Sequence, residues 1–232
     1  MYCGLWVNRK LTYKLINIMS PLITPGPSIP SIPLDRTIER FGQIQKLIFQ
    51  RKFQNGTVLN ELVAVSANPA LRATWTPLLA STTGTKVTVS PFISEPANEA
   101  GEARTYGGGN ATVNGIEIVL GQSASPFTAL ILESKQHVIR EIKKLEAEGT
   151  NLAVYLVNEH GHIGLLNDGL PTPLRYRPIP IYSLFVGDKV FGNFEGVDSN
   201  SLQFMFEPGF SRNFDVIVPT DFNPLNDLVN PA

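Results

Sequence analysis

The stretch from residue 127 to residue 166 constrains the fold most, because three elements follow one another there with little ambiguity. PFTALILE and NLAVYLVNEHGHIGLL indicate two strands, the second with its turn. Between them, apolar side chains recur at the spacing of one buried helix face; they are Val138, Ile139, Ile142 and Leu145. This predicts a helix at about residues 134–148, with Ser134 as a possible cap at its start and Gly149 at its end.

A single amphipathic helix cannot cover both faces of a large sheet, so most of the apolar surface must be buried sheet against sheet. The 19 Gly and 18 Pro residues indicate many tight connections, which is typical of β-rich folds. The predicted fold class is therefore a β-rich α+β protein. We expect an antiparallel β-sandwich or barrel-like domain with one flanking α-helix and extended N- and C-terminal arms.

Three regions are expected along the chain. Residues 1–35 form a flexible or extended arm, since PLITPGPSIPSIP contains too many prolines for a helix or a sheet interior. Residues 36–220 form a single β-rich domain. Residues 221–232 lack any periodicity and are expected to form an extended C-terminal arm.

Several further strands and turns are indicated within the domain. IQKLIFQRKF alternates without a clean face, and the Asn55-Gly56 pair predicts a hairpin that returns through VLNELVAV. WTPLL and KVTVSPFI suggest a second hairpin, and two later strands are expected to meet at Gly187-Asp188. FDVIVP is expected to be the last strand. SLQFMFE shows the cleanest alternation, which places Leu202, Phe204 and Phe206 on one inner face.

Residues 95–115 are predicted to be a long loop, of a length that is usually either functional or disordered. Its Gly107-Gly108-Gly109-Asn110 run lacks the following helix and lysine of a phosphate-binding loop, so it is interpreted as a flexible or positive-φ tip. GIEIVLG, which follows, places Ile116, Ile118 and Leu120 on one face of a strand.

Charge and cysteine content exclude some classes of protein. A formal net charge of −1 argues against a protein whose main function is to bind nucleic acid. No apolar run reaches the length of a membrane helix. Cys3 is the single cysteine, so no intrachain disulfide forms. Residues 1–53 carry +6 and the remainder −7. This asymmetry reflects either ordinary solvated faces or attraction between copies of the chain.

No catalytic, cofactor-binding or metal-binding residues are predicted. His160 and His162 have a spacing that metals use, but His137 is the one other histidine, so a polar hairpin tip is favoured. Glu95, Glu99 and Glu102 lie in the long loop, where a solvated surface explains them. Four aromatic residues could form a sugar-binding platform but are better explained as core and turn residues; they are Trp75, Tyr106, Tyr176 and Tyr182.

The order of these elements resembles the tail-tube and related ring-forming proteins of tailed bacteriophages. The resemblance covers residues 36–220, with ESKQHVIREIKKLEAEG in the place of their helix. It implies a non-catalytic virion structural protein, assembled in the host cytoplasm, whose partners are copies of itself in a ring or stack and other virion proteins. It implies neither specific nucleic-acid recognition nor a membrane partner. A carbohydrate-binding or adhesion sandwich and a metal-dependent enzyme remain as alternatives.

Overall fold

The computed structural model describes residues 28, 29, 31, 32, 34, 40–169, 173–194 and 196–231. Its helices are α1 (Arg72–Ala80), α2 (Gln136–Lys144) and α3 (Pro224–Asp227), with 3-10 turns at Gly109–Ala111, Val113–Gly115, Leu145–Asn151 and Phe210–Asn213. Its strands are β1 (Ile44–Arg51), β2 (Leu62–Val63), β3 (Val87–Val89), β4 (Ser94–Asn98), β5 (Ala103–Gly107), β6 (Glu117–Gln122), β7 (Ser125–Leu132), β8 (Leu152–Asn158), β9 (Ile163–Asn167), β10 (Arg175–Arg177), β11 (Ile179–Val190), β12 (Ser199–Phe206) and β13 (Phe214–Ile217).

Eleven of these strands form one antiparallel sheet that folds over on itself. One half contains β2, β10, β9 and β8, with β1, β3 and β13 attached, and the other half runs β11-β12-β7-β4. The long strand β11 joins the halves: Ile179 and Pro180 pair with β8, and the residues from Ile181 onward pair with β12. A register shift between Tyr182 and Phe185, with Ser183 at φ 55°, marks a bulge in this strand. The path of the sheet ends at β2 and β4, so the fold is sandwich-like and not a closed barrel.

The first core lies where the two halves and α2 face each other. Phe127, Phe204 and Phe206 pack within it as a cluster, with ring centroids 4.6 Å apart for Phe127 and Phe204 and 5.1 Å apart for Phe204 and Phe206. Ile139 and Ile142 of α2 belong to the same core. The amphipathic pattern predicted for this helix is therefore confirmed.

A second core lies on the opposite face of β1 and β8. Every residue of β8 is buried, with Val154 facing the first core and Tyr155 the second. Tyr155 packs edge-on against Trp75 of α1 at 5.1 Å and donates its hydroxyl hydrogen to Gln50. Burial on two sides explains why β1 has apolar residues on both faces, with Leu47 and Phe49 in the first core and Ile48 in the second.

Several sequence-based predictions are confirmed. The fold is β-rich α+β, the strand, helix and strand of residues 127–166 appear as β7, α2 and β8, and β13 is the expected last strand. Leu202, Phe204 and Phe206 all point into the first core. The helix is shorter than predicted: it starts without a side-chain cap from Ser134, and a 3-10 segment containing Gly149 at φ 58° follows Lys144.

Other predictions are wrong in ways that have a physical reason. WTPLL is not a strand but part of α1, because Trp75 and Leu79, four residues apart, bury one side of a helix turn. Gly187-Asp188 is not a turn but lies inside β11. A Cβ at Gly187 would lie 2.2 Å from Ser201 Oγ on β12, so glycine here permits close strand approach. The hairpin predicted at Asn55-Gly56 forms only the isolated bridge between Phe53 and Leu59, and the chain then continues to β2.

The C-terminal residues lie along their own domain. Residues 221–231 are extended apart from the single-turn helix α3, and Leu228 is buried in the second core. The Asn230 side chain accepts from Val89 N–H at 2.8 Å and donates to Val89 O at 2.7 Å, which satisfies the backbone at the edge of β3. Residues Glu39–Ala232 form one compact unit. Most of the predicted N-terminal arm, residues 1–35, lies outside the described residues.

Candidate functional site

Strands β5 and β6 form a two-stranded ribbon that is separate from the main sheet. β4 and β7 pair within the sheet, and the chain continues from them into β5 and β6, which pair with each other and with no other described strand. Hydrogen bonds fix the base of this ribbon: Gly101 N–H donates to Ser125 Oγ at 3.1 Å, and Ser123 N–H donates to the Glu102 carbonyl at 2.8 Å. The ribbon is therefore a continuation of the β4–β7 pair beyond the sandwich.

The ribbon, with the turn at residues 108–116 that joins its strands, exposes an unusual number of apolar side chains. Six of them are each more than half exposed: Tyr106, Val113, Ile116, Ile118, Val119 and Leu120. In the register, Tyr106 is opposite Ile118 and Thr105 is opposite Val119, so both faces carry apolar groups. A two-stranded hairpin is only marginally stable alone, and contiguous exposed apolar surface usually marks an interaction site.

The tip of the ribbon has a defined turn structure. Gly107, Gly108 and Gly109 all have positive φ, which matches the predicted positive-φ tip. A Cβ at Gly107 would lie 2.2 Å from Thr112 Cγ2. Thr112 Oγ1 accepts from Gly108 N–H at 3.2 Å and donates to the Ile116 carbonyl at 2.6 Å. Strand β6 follows two short 3-10 turns, so the helix of a phosphate-binding loop is missing from this described segment.

A second group of exposed apolar side chains lies in the turn between β11 and β12. We call it the β11–β12 tip and define it as Val190, Phe191, Phe194 and Val197, all more than half exposed. Asp198 holds the backbone of this turn: it accepts from Gly192 N–H at 3.0 Å and lies 3.2 Å from Lys189 Nζ. The Gly192 hydrogen bond and the Lys189 ammonium lower the pKa of Asp198, so its carboxylate stays charged at neutral pH. Phe191 and Phe194 of this turn are exposed.

The histidines lie in the turn between β8 and β9, as predicted. The buried Asn158 organises this turn, because its Oδ1 accepts from His160 N–H at 3.0 Å and from His162 N–H at 2.7 Å. The two imidazole centroids are 5.8 Å apart. Among the described residues, no group of three or more His, Cys, Asp or Glu side chains is placed to hold a metal ion.

The other residues considered from the sequence do not come together. Trp75 and Tyr176 are buried in the second core, whereas Tyr106 lies on the exposed ribbon. Glu95, Glu99 and Glu102 are exposed along β4 and the base of the ribbon. Cys3 lies outside the described residues.

A groove of about 460 Å³ runs between β1, the loop at residues 82–86 and the segment after α2. Arg51 and Glu148 both line this groove, and the Arg51 guanidinium donates two hydrogen bonds, of 2.9 and 2.6 Å, to the Glu148 carboxylate. Thr82, Thr83 and Lys86 also line it, without a histidine, cysteine or second carboxylate. The groove therefore offers a bound ion pair and hydroxyl groups, but no paired nucleophile and base.

No helix within the described residues has the length and apolar content needed to span a bilayer. No protein-family model matches the chain, and a search of curated proteins finds no similar sequence.

The long loop predicted at residues 95–115 is wrong in part, because β4 (Ser94–Asn98) and β5 (Ala103–Gly107) fall largely within it. The many Gly, Asn and Glu residues of this stretch obscure both short strands, which form because β7 and β6 are available as partners. The β11–β12 tip also differs from the sequence-based prediction. FGNFEG indicates a turn, since it contains two glycines and an asparagine. The sequence-based prediction places the turn at the nearby Gly187-Asp188 pair, which lies inside β11.

Proposed function

We propose that this chain is a non-catalytic structural subunit that assembles with copies of itself through the β5–β6 ribbon. The observation that supports this proposal is the ribbon itself, an extension outside the main sheet with apolar side chains on both faces. Full burial of one aliphatic side chain contributes about 1.5–3 kcal/mol, whereas association costs at least several kcal/mol. Several ribbon side chains must therefore be buried together, which requires a partner surface of matching size.

The backbone of the ribbon also supports assembly. Within the described chain, β5 and β6 each have one edge without a strand partner. Such edges can add to the sheet of a neighbouring molecule. Proteins that avoid this contact place lysine or proline along the edge, but the only positive side chain in β5 and β6 is Arg104.

The more specific form of the proposal is a virion protein of a tailed bacteriophage, a tail-tube or related ring component. Its support is the order of elements noted in the sequence, together with a sandwich from which a ribbon projects. The partners would be copies of the chain and other virion proteins, assembled in the host cytoplasm. A carbohydrate-binding module is less well supported, because Trp75 and Tyr176 are buried and cannot stack on a sugar.

The test compares two pairs of exposed apolar residues. Ile118→Ser with Leu120→Ser removes two ribbon side chains, and Val65→Ser with Val218→Ser makes the same kind of change on exposed residues outside the ribbon. Light scattering should give a monomer for the ribbon variant and an oligomer for the control and the unchanged protein. Negative-stain microscopy should show rings or stacks only for the two that assemble.

Two results would overturn the proposal. One is an unchanged protein that stays monomeric at every concentration, which would favour a binding module. The other is a ribbon variant that assembles as well as the control, which would show that the contact lies on another surface.

A further inference from the structure

The sequence contains two Asn-Gly pairs, Asn55-Gly56 and Asn114-Gly115, and both lie in exposed turns. An asparagine that precedes glycine can react with its own backbone, because glycine has no Cβ to hinder the approach of its nitrogen to the side-chain carbonyl carbon. The two turns hold the reacting groups differently. The structure therefore distinguishes two sites that the sequence leaves alike.

At the first pair the asparagine side chain is held and the attacking nitrogen is free. Asn55 Oδ1 accepts hydrogen bonds from Thr57 Oγ1 and from Val58 N–H, both at 3.2 Å. Two donors on this oxygen stabilise the negative charge that develops on it when a nucleophile adds to the neighbouring carbon. Among the described residues none accepts a hydrogen bond from Gly56 N–H, so its nitrogen is available for this attack.

At the second pair both conditions are reversed. Asn114 has φ 61° and ψ 17°, and Gly115 N–H donates to the Thr112 carbonyl at 3.1 Å. Within the described chain no group donates to the Asn114 side-chain oxygen. The attacking nitrogen would have to give up its hydrogen bond, and only water would stabilise the charge on the side-chain oxygen.

We propose that Asn55 is a site of spontaneous modification in the folded protein, which converts to aspartate and isoaspartate faster than Asn114. The Gly56 nitrogen attacks Asn55 Cγ and passes its proton to the departing amide group, so that ammonia leaves and a succinimide ring forms. Water then adds to one of the two ring carbonyls and opens the ring, which gives either aspartate or isoaspartate. Water is the one other reactant, and no group is oxidised or reduced.

The modification changes the turn and leaves the cores intact. Either product adds a negative charge, and isoaspartate also lengthens the main chain. The hydrogen bond of 2.8 Å from Gln54 N–H to the Val58 carbonyl spans this turn, and the longer main chain should break it. No residue from 54 to 58 belongs to either core, so the modified protein should remain folded.

The test compares both sites in one sample, folded and unfolded. The full chain is kept in mildly alkaline buffer, with and without guanidinium chloride. Tandem mass spectrometry of the tryptic peptides 53–72 and 105–135 then measures the conversion at Asn55 and Asn114. In guanidinium chloride the turn contacts are lost, and the two rates should be similar. In the folded protein Asn55 should convert several times faster than Asn114.

Two variants test the role of the hydroxyl donor. Thr57→Val keeps the shape of the side chain but removes this donor, and it should slow the conversion of folded Asn55 several-fold without changing the rate in guanidinium chloride. Thr57→Ser keeps a hydroxyl and should retain the fast rate. Circular dichroism checks that both variants fold.

Two results would overturn the proposal. One is a ratio of the Asn55 rate to the Asn114 rate that is no greater in the folded protein than in guanidinium chloride. The other is a folded Thr57→Val variant that converts as fast as the unchanged protein, because the hydrogen bonds to Asn55 would then not promote the reaction. If Thr57→Val does not fold, the ratio of the two rates in the unchanged protein still decides the question.

Discussion

Strands β12 and β6 are both rich in apolar side chains but have opposite environments. In β12, Leu202, Phe204 and Phe206 alternate with a period of two and are buried in the first core, whereas β6 leaves Ile118, Val119 and Leu120 exposed. Apolar residues in a strand thus indicate a surface to be covered without telling what covers it. In β12 the cover is the rest of the same sandwich. In β6 we propose that the cover is another copy of the chain.

The comparison predicts its largest effect at Phe204. Phe204→Ala should lower the free energy of unfolding by about 3–5 kcal/mol, because it leaves a cavity between Phe127 and Phe206. Leu120→Ala in β6 is the matched change and should alter the stability of the monomer by about 0.5 kcal/mol or less. Denaturant unfolding of dilute protein measures both. Comparable losses at the two positions would show that β6 packs within its own chain.

Removing the ribbon should have a small effect on stability. Replacing residues 102–123 with an Asn-Gly turn keeps Gly101 and Ser125 and retains the β4–β7 pair. We expect a cooperative thermal transition within a few degrees of the unchanged monomer, together with loss of assembly. A variant that does not fold would mean that the ribbon stabilises the sandwich.

Much of the sandwich could be predicted because its local and tertiary requirements agree. In α2 and β12 the periodicity and the burial indicate the same structure. The sequence-based predictions are wrong where burial on two sides, or the close approach of two strands, competes with the local pattern. WTPLL forms a helix because the second core needs Trp75 and Leu79 on one side, and Gly187 lies within a strand because Ser201 leaves no room for a Cβ. The exposure of the apolar ribbon residues could not be predicted from the sequence, since it depends on which strands the folded chain brings together.

A third prediction concerns residues 1–33. The described members of both cores lie between Phe41 and Leu228, and we expect that deleting residues 1–33 leaves a domain that unfolds cooperatively. We expect weaker assembly of the shortened chain, because its basic N-terminal residues are removed. Far-ultraviolet circular dichroism during heating, with light scattering of the same sample, measures both properties. Loss of the cooperative transition would show that the N-terminal residues belong to the core.

The smallest effect is expected at the histidines. His160→Ala together with His162→Ala should change neither the metal content nor the stability in chelator, because the turn is organised by Asn158 and the two imidazoles provide too few ligands. Elemental analysis of the purified protein measures the metal. Stoichiometric zinc that disappears with these substitutions would reveal a metal site and favour the enzyme alternative.

The central claim is that the exposed face of β6 is covered by another copy of the chain. Light scattering over a series of protein and salt concentrations, with circular dichroism of the same samples, tests it most directly. We predict a mass of several subunits that falls with dilution and with added salt while the dichroism stays constant, because salt screens exposed ion pairs and leaves buried apolar contacts intact. Assembly that does not respond to salt would reject the electrostatic contribution alone. A monomer at every protein and salt concentration would contradict the claim.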